Sequence, residues 1–355
     1  MSQNKKILII QLDQFGYLTD SFKWCEYLKE KHEIRVVCYD SNFKKLALPN
    51  VHITYVKLSK YRVIHALKFF LKVLSIAFNF SGKIIVIAFP HCDIIKKVLF
   101  WKKIHLDIRT VSVSRDESKR ISYDKKLHNY ALLYDSISVI SKGVQQRLNI
   151  PSAKILPLGS DVISTHIKNY SNLNILYVGT LFGRDIEKTI YGLAQFVKDN
   201  PNTQIKYDIV GEAKGINKEK MSDEFKDLVS HLNLTQYIKI HGAKPYSDLL
   251  PFISEANYGV SFVPKTPWYD VQPPTKTFEY AMSGLYVIAT STTCNSEIIS
   301  NENGILINDT PEDFAKALKY IYLNSQCISE NAIRSSLLKY KWENIVNNYL
   351  LPIID

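Results

Sequence analysis

A lysine and a glutamate three positions apart, Lys276 and Glu279, follow a pair of prolines in the C-terminal half of the chain. The prolines exclude regular structure before this point, so a helix is predicted over Lys276–Ser283 with Thr275 as its N-cap. The N–H groups of a helix N-terminus and a lysine side chain both attract phosphate, and a carboxylate accepts hydrogen bonds from ribose hydroxyls. The pattern therefore indicates a site for a phosphorylated, hydroxylated ligand.

Three residues of the N-terminal half lie near the ends of predicted strands. His91 follows the strand Lys83–Phe89, and Asp107 and Arg109 lie in the strand His105–Val113. In a doubly wound sheet the ligands bind at the carboxyl ends of the strands, so these side chains are candidates for acid–base chemistry. A lone histidine is also common as a structural residue, and both roles stay open for His91.

The elements that must position these residues alternate between strands and helices, which predicts parallel α/β sheets. The predicted strands are Lys6–Leu12, Glu33–Tyr39, His52–Lys57, Lys83–Phe89, His105–Val113, Ser136–Ile140, Lys154–Pro157, Asn174–Gly179, Gln204–Val210, Tyr237–His241, Tyr258–Val263, Leu285–Ala289 and Asn303–Ile307. The loop after the first strand contains Gly16 but lacks the GxGxxG pattern of a dinucleotide-binding turn. Gly284 is placed to end the helix that carries Lys276. No cluster of residues has a recognisable metal-ligand spacing.

Length and composition predict a folded protein of two domains. The chain has 355 residues, of which 46% are hydrophobic and 22% charged, values typical of globular proteins. The polar segment Ser164–Asn174 is interpreted as a linker between residues 1–165 and residues 172–340. Five widely spaced cysteines and an N-terminal apolar run of only four residues favour a reduced cytoplasmic protein without a signal peptide.

The net charge of +11 is concentrated in one half of the chain. Residues 1–170 contain 28 Lys and Arg against 13 Asp and Glu, whereas residues 171–355 contain 17 against 21. A basic half needs an anionic partner, which the composition leaves open as a membrane surface, a nucleic acid or a polyanionic acceptor. Because no nucleic-acid-binding motif is present, no nucleic-acid partner is expected.

The predicted helix Tyr61–Phe80 has its polar residues in one narrow stripe, and apolar residues cover the rest of its surface. Its apolar stretch is too short and too charged to span a membrane. Two interpretations remain: a helix packed deeply on its own sheet, or a helix that presents apolar residues and lysines to an anionic bilayer. The segment Lys96–Lys103, which also mixes lysines with aromatic residues, favours the second.

Several segments together resemble the GT-B glycosyltransferases of family 4, the group 1 type. Besides the stretch after the two prolines, the matching segments are Ser138–Ser141, Leu156–Asp161, Leu176–Gly179, Asp208–Glu212, Asn295–Ile299, Asn303–Leu306 and Lys341–Ile345. The resemblance implies two Rossmann-like domains facing across a cleft, with residues 341–355 completing the first domain. It also implies that the second domain binds a nucleoside-diphosphate sugar and the first domain an acceptor, without a metal or other cofactor.

Site residues follow from the same resemblance. The implied donor-binding residues are Gly16, Gly179, Arg184, Gly211, Thr275, Lys276 and Glu279, and the implied catalytic residues are His91, Asp107 and Arg109. Lys276 would neutralise the diphosphate and Glu279 would hold the ribose.

Three positions depart from the family pattern. Val271 stands where the family carries the first of two glutamates, so contacts to the transferred sugar are not defined. Thr180 stands where the family usually has an arginine, directly after the segment Leu176–Gly179. Arg184 is therefore the expected substitute that balances the charge of the diphosphate. The pair Asp107 and Arg109 occupies roughly the place of a family histidine.

The resulting hypothesis is a metal-independent, hexosyltransferase-like enzyme of surface glycan biosynthesis, cytoplasmic and peripheral at the inner face of the membrane. It would move a sugar from a nucleoside-diphosphate sugar to a lipid-linked or polysaccharide acceptor, with retention of configuration. Two alternatives stay open: a nucleotide-sugar epimerase or hydrolase of the same fold, and a non-catalytic protein that binds an anionic surface.

Overall fold

The computed structural model describes residues 5–211 and 218–355, and side chains are described except at 218–222, 246 and 247. Glu212, the last residue of one matching segment above, lies outside the described residues. The chain forms two compact units, Met1–Gly159 with Trp342–Asp355, and Ser160–Lys341.

A seven-stranded parallel sheet forms the first unit, with the strand order β3-β2-β1-β4-β5-β6-β7. Its strands are β1 (Lys5–Ile10), β2 (His32–Asp40), β3 (Val51–Lys57), β4 (Lys83–Ile87), β5 (Ile104–Ile108), β6 (Ser136–Val139) and β7 (Lys154–Ile155). Its helices are α1 (Thr19–Leu28), α2 (Arg62–Phe78), α3 (Asp93–Val98), α4 (Glu117–Ala131) and α5 (Lys142–Arg147). The consecutive apolar residues 7–10 are all buried, as a central strand covered on both faces requires.

A six-stranded parallel sheet forms the second unit, with the strand order β10-β9-β8-β11-β12-β13. Its strands are β8 (Leu173–Val178), β9 (Ile205–Val210), β10 (Ile238–Ile240), β11 (Tyr258–Ser261), β12 (Tyr286–Thr290) and β13 (Gly304–Ile307). Its helices are α6 (Glu187–Asp199), α7 (Lys218–His231), α8 (Leu250–Glu255), α9 (Thr275–Met282), α10 (Thr293–Ser296), α11 (Pro311–Asn324) and α12 (Glu330–Ser336), with short 3-10 turns at Tyr246–Leu249, Ser325–Cys327 and Leu338–Tyr340. Both sheets are doubly wound, so the predicted α/β class is confirmed.

After the second unit the chain returns to the first as α13 (Trp342–Ile345), a π-helical turn (Val346–Leu350) and α14 (Leu351–Ile354). Trp342 is buried there, and a Cβ on Gly159 would come within 2.5 Å of its ring. The absence of a side chain at Gly159 is therefore what lets the returning segment pack.

The polar segment Ser164–Asn174 is part of the second unit, so its interpretation as a linker is wrong. Lys168 is buried and donates hydrogen bonds to the carbonyls of Ile253 (2.6 Å) and Ser254 (2.9 Å). Tyr170 is also buried in this unit. Composition misleads here because polar side chains can be buried when the fold supplies hydrogen-bonding partners.

Predicted strand ends differ from the observed ones mainly at the carboxyl edge. The strand predicted over His105–Val113 is shorter in the structure, where β5 ends at Ile108.

None of the helices among the described residues has the length and apolar character needed to cross a membrane. All five cysteines are free, four of them buried and Cys327 exposed.

Candidate functional site

The second unit has a candidate site at the point where its strand order reverses. β8 has β9 on one side and β11 on the other, and doubly wound sheets bind ligands at the carboxyl edge beside such a reversal. The loop after β8 contains Gly179 and Arg184. The chain after β11 leads through the two prolines into α9, which carries Lys276 and Glu279. The topology therefore brings four of the predicted residues to one edge of one sheet.

Two glycines bring the loops after β8 and β9 into close contact. Gly179 and Gly211 have φ angles of 153° and 156°, which residues with a side chain rarely adopt. A Cβ on Gly211 would lie 1.8 Å from the carbonyl oxygen of Gly179. A Cβ on Gly179 would lie 2.8 Å from Nζ of Lys276. The lysine side chain therefore ends against the backbone of Gly179, beside the Tyr177 hydroxyl.

Lys276 packs against its own unit and does not extend into solvent. Its Nζ lies 3.8 Å from the centroid of the Tyr177 ring, a cation–π contact, and the Tyr177 hydroxyl donates to the carbonyl of Thr180 at 2.7 Å. Burial lowers the pKa of Lys276 well below its usual value, and Arg184 lowers it further. Lys276 has no ion-pair partner in the described part of the chain. An anion bound here would supply the missing countercharge.

Arg184 is the second cation of the site. Its guanidinium lies over the ring of Tyr269, 4.3 Å from the centroid. The residues on either side of it, Gly183 and Asp185, have φ angles of 68° and 51°, so the loop turns sharply at this position. Two neighbouring cations are an arrangement suited to a diphosphate.

Glu279 lies one helical turn after Lys276 on α9. Burial raises the pKa of its carboxyl to about 7, and the nearby lysine opposes this rise. The carboxyl is therefore ionised in part near neutral pH, and the ionised form accepts hydrogen bonds from hydroxyls. The Tyr280 hydroxyl accepts a hydrogen bond from Val178 N at 2.7 Å, which fixes the opposite side of α9 to β8.

Two expectations about this loop change with the structure. Thr275 is the first residue of α9 and Pro274 is the N-cap, without a capping side chain, so the prediction that Thr275 caps the helix is wrong. The carboxylate of Asp270 accepts two hydrogen bonds from Thr293, one from its N–H at 2.8 Å and one from its hydroxyl at 2.6 Å. Asp270 therefore helps to hold α10 and does not substitute for the glutamate missing at Val271.

In the first unit the strand order reverses between β1 and β4, and two predicted residues lie in the loops after these strands. Gly16 has a φ angle of 92°, and a Cβ on it would lie 2.4 Å from the Leu46 side chain. His91 has a φ angle of 67° although it carries a side chain, which is exposed, and its N–H donates to the Tyr130 hydroxyl at 3.1 Å. Backbone strain of this kind, at a carboxyl edge, is common at functional positions.

Asp107 and Arg109 are buried, which differs from the expectation that they face a ligand. Asp107 accepts a hydrogen bond from the Ser138 hydroxyl at 2.5 Å, and burial raises its pKa to about 6 against the opposing charge of Arg109. Arg109 donates to Asp20 and, at 2.6 Å, to the carbonyl of Leu156. The cluster joins β5 to α1 inside the core. Neither side chain is accessible to a substrate, so their positions do not support a catalytic role.

The sequence-based reasoning missed Tyr177 and Tyr269, whose rings lie against the two cations. An aromatic residue two positions before Gly179 was the available signal for the first. No sequence spacing connects Tyr269 with Arg184, because the fold alone brings the two loops together. No group of three His, Cys, Asp or Glu side chains suited to a metal occurs among residues 5–211 and 218–355.

Comparison with known families agrees with this geometry. Residues 172–324, which include β8 to α11, match the model of the family described as Glycosyl transferases group 1. A comparison with curated protein sequences finds no match.

Solved structures share the architecture of the whole chain. Sucrose-phosphate synthase from Thermosynechococcus elongatus is 15% identical, with a TM-score of 0.77 over 99% of this chain and 98% of that one. HepE from Anabaena, in complex with UDP and glucose, is 12% identical, with a TM-score of 0.75 over 99% of both chains. WaaG, a glycosyltransferase involved in lipopolysaccharide biosynthesis, is 14% identical, with a TM-score of 0.68 over 98% of this chain and 99% of that one.

The two Rossmann-like units and these likenesses define the fold as GT-B. Within the second unit, residues 172–324 match the group 1 glycosyltransferases, in agreement with the resemblance stated from the sequence.

Proposed function

We propose that the protein moves a sugar from a nucleoside-diphosphate sugar to a lipid-linked or polysaccharide acceptor, with retention of configuration, at the inner face of an anionic membrane. In this proposal the reaction is a step in the biosynthesis of surface glycans. The observation that supports it most is the pair of cations, Lys276 and Arg184, beside the Gly179 backbone in the segment that matches the family.

In this proposal Lys276 and Arg184 bind the diphosphate of the donor. The departing nucleoside diphosphate gains negative charge as the glycosyl bond breaks, so these cations stabilise the transition state more than the ground state. They supply the charge that a metal supplies in other transferases, and we propose that neither a metal nor another cofactor takes part. Glu279 accepts hydrogen bonds from the ribose hydroxyls.

His91 is our candidate for the transfer step in the first unit. Its imidazole is exposed, and its backbone is fixed at the carboxyl edge by the hydrogen bond that its N–H donates to the Tyr130 hydroxyl. We expect His91→Ala to lower kcat and to leave donor affinity unchanged.

Two of the similar structures support this assignment of substrates. HepE has been solved in complex with UDP-glucose, and WaaG is involved in lipopolysaccharide biosynthesis. Both likenesses support a nucleotide-sugar donor and a glycan or lipid-linked acceptor for the present chain.

The outer face of α2 supports a peripheral position at a membrane. The helix buries Phe69, Val73 and Ala77 but exposes Val63, Ile64, Leu67, Leu71 and Phe78. Exposed apolar residues along one helix, flanked by lysines in a basic half of the chain, suit an anionic bilayer surface. We expect Leu67→Asp to reduce sedimentation with anionic vesicles, whereas Lys239→Asp, on β10 of the second unit, should have little effect.

The decisive experiment measures binding and turnover of a panel of UDP-, GDP- and dTDP-sugars by the purified chain. Saturable binding of one donor, together with transfer that requires an added acceptor, is the expected result. If no donor of the panel binds, the proposal fails. Turnover of the donor without any acceptor would instead indicate an epimerase or hydrolase.

A further inference from the structure

A cavity of about 320 Å³ opens beside α2 in the first unit. It is lined by Arg35, Val37, His52, Thr54, Lys72 and Ile76. The first four form one block of the sheet surface, because β2 and β3 pair Arg35 with His52 and Val37 with Thr54. Lys72 and Ile76, one turn apart on α2, form the facing wall. The volume lies at the lower end of the range of small-molecule pockets.

The cavity exists because α2 covers only part of this sheet face. Phe69 packs on Tyr39, with 4.7 Å between the ring centroids, toward the carboxyl end of β2. Toward the amino end of the strand, Arg35 is exposed and its side chain remains at the cavity. The cavity therefore lies away from the carboxyl edge where His91 stands.

The polar groups of the cavity suit an anion. Glu33 holds the Arg35 guanidinium through Nη2 at 2.8 Å, and the guanidinium also lies over the Phe80 ring, 5.9 Å from the centroid. In the part of the chain that the structure describes, the side chains of His52 and Lys72 have no hydrogen-bonding partner. A positioned guanidinium, a free ammonium and a free imidazole thus face one space.

The surroundings of the cavity are apolar and face solvent. Leu71, beside Lys72 in the chain, is exposed, and Phe78 at the end of α2 contacts Trp101 with 5.6 Å between ring centroids. Phe100 packs on Trp101 at 5.1 Å and is 73% exposed. Exposed aromatic rings beside lysines are typical of protein surfaces at the headgroup level of a bilayer. An anion that enters this cavity is therefore best supplied by a lipid headgroup.

We propose that this cavity binds the phosphate monoester of a membrane lipid headgroup and so anchors the first unit, separately from the acceptor. A monoester presents three terminal oxygens to the three donors, and a diester presents only two. The inference rests on the membrane position in the proposed function, but not on the donor site.

The test compares two vesicle compositions. Phosphatidylcholine vesicles carry either phosphatidic acid, a monoester, or phosphatidylglycerol, a diester, at matched surface charge. The full-length chain is sedimented with each, and the ratio of the two affinities is the readout. Three donors to a monoester should give a preference of roughly fivefold or more.

Two variants impair the cavity in different ways, and a third variant serves as a control. Thr54→Phe fills it without a change of charge, and an aromatic residue is compatible with an edge strand. Lys72→Met removes one donor. Lys68→Met, one turn earlier on α2 and not lining the cavity, removes the same charge. We expect Thr54→Phe and Lys72→Met to bring the ratio to about one, and Lys68→Met to weaken binding to both vesicles while keeping the ratio.

The possible failures are distinguishable. If the wild-type chain binds both vesicles equally and Thr54→Phe has no effect, the cavity proposal is overturned, but the proposed binding of the first unit to an anionic membrane is not. If the wild-type chain binds neither vesicle, both are overturned. If inorganic phosphate shifts the His52 imidazole NMR signals but phosphatidic acid gives no preference, the source is soluble phosphate and the lipid assignment is overturned. Donor binding, measured in the same proteins, tests the transferase proposal independently.

Discussion

Replacement of Lys276 by methionine tests the donor site directly, because the structure predicts opposite signs for its effects on stability and on binding. Methionine keeps the length and apolar stem of lysine and removes only the ammonium. In the free protein Lys276 is half-buried, its ammonium is partly desolvated beside Arg184, and it has no ion-pair partner in the described residues. A buried cation without a partner costs folding free energy.

The pH dependence of the stability effect follows from the lowered pKa. A lysine whose folded pKa lies below its unfolded value of 10.5 destabilises the folded state as pH falls through the folded pKa, and has no such effect above 10.5. We therefore expect Lys276→Met to raise the free energy of unfolding at neutral pH. The gain should shrink as the pH approaches 10.5.

The effect on donor binding has the opposite sign. A hydrogen bond between charged groups contributes about 1.5–3 kcal/mol, which corresponds to a loss of roughly 10- to 100-fold in affinity. Kd for UDP or a UDP-sugar by calorimetry should rise by this factor, and the ligand should raise Tm less than in the wild type. kcat/KM should fall by at least the same factor, because the contact strengthens in the transition state.

Lys239→Met, an exposed lysine on β10, is the matched control and should change neither quantity. A lower Tm for Lys276→Met with unchanged donor affinity would refute the reasoning, since it would make the lysine a structural residue. An unchanged Tm with the predicted loss of affinity would show that the ammonium is better solvated than its surroundings indicate.

Three further substitutions test the same physical account. Glu279→Gln should raise the free energy of unfolding by roughly 3 kcal/mol above pH 7 and have little effect below pH 4.5, because the folded pKa of about 7 lies above the unfolded value of 4.5 and the wild type loses stability as pH rises between the two. Urea unfolding across pH checks this, and donor affinity should fall. Arg109→Met should cost about 3–5 kcal/mol by chemical denaturation, because it leaves Asp20 and Asp107 buried without their cation; a cost below about 1 kcal/mol would contradict the buried cluster. Gly211→Ala should lower Tm and weaken donor binding, because its Cβ would lie 1.8 Å from the Gly179 carbonyl oxygen, whereas Gly242→Ala, with open space around it, should cost only about 1 kcal/mol of backbone strain in a thermal melt.

The sequence predicts the sheet elements well because their signals are local. Each predicted strand has a counterpart, and α9 begins one residue before its predicted start. Short apolar runs between turn residues specify a buried parallel strand without information from distant residues. Lys276 and Glu279 are found for the same reason, since their spacing along one helix places them on one face.

The features that the sequence does not reveal depend on contacts between distant segments. Asp107 lies in β5, and Arg109 follows directly after that strand, but only the position of α1 shows that Asp20 pairs with the arginine inside the core. The periodicity of α2 separates a polar stripe from apolar residues but does not say which apolar residues pack. The pairing of Arg35 with His52 depends on the register of β2 and β3, which no spacing along the chain encodes.

The two candidate sites share one physical property, cations whose charge the protein itself does not neutralise. The Lys276 ammonium is partly desolvated by the Tyr177 ring and by the loop after β8, whereas Lys72 faces His52 and Arg35 across an open cavity. The first arrangement costs folding free energy in the free protein, because the ammonium is already partly desolvated before a ligand binds. An anion that binds there does not have to remove this water, so it binds more tightly. The second stays hydrated and costs little, so it should bind weakly on its own and become effective only where the bilayer raises the local concentration of phosphate. We therefore expect the donor site to function in dilute solution, and the headgroup cavity to be occupied mainly on a membrane.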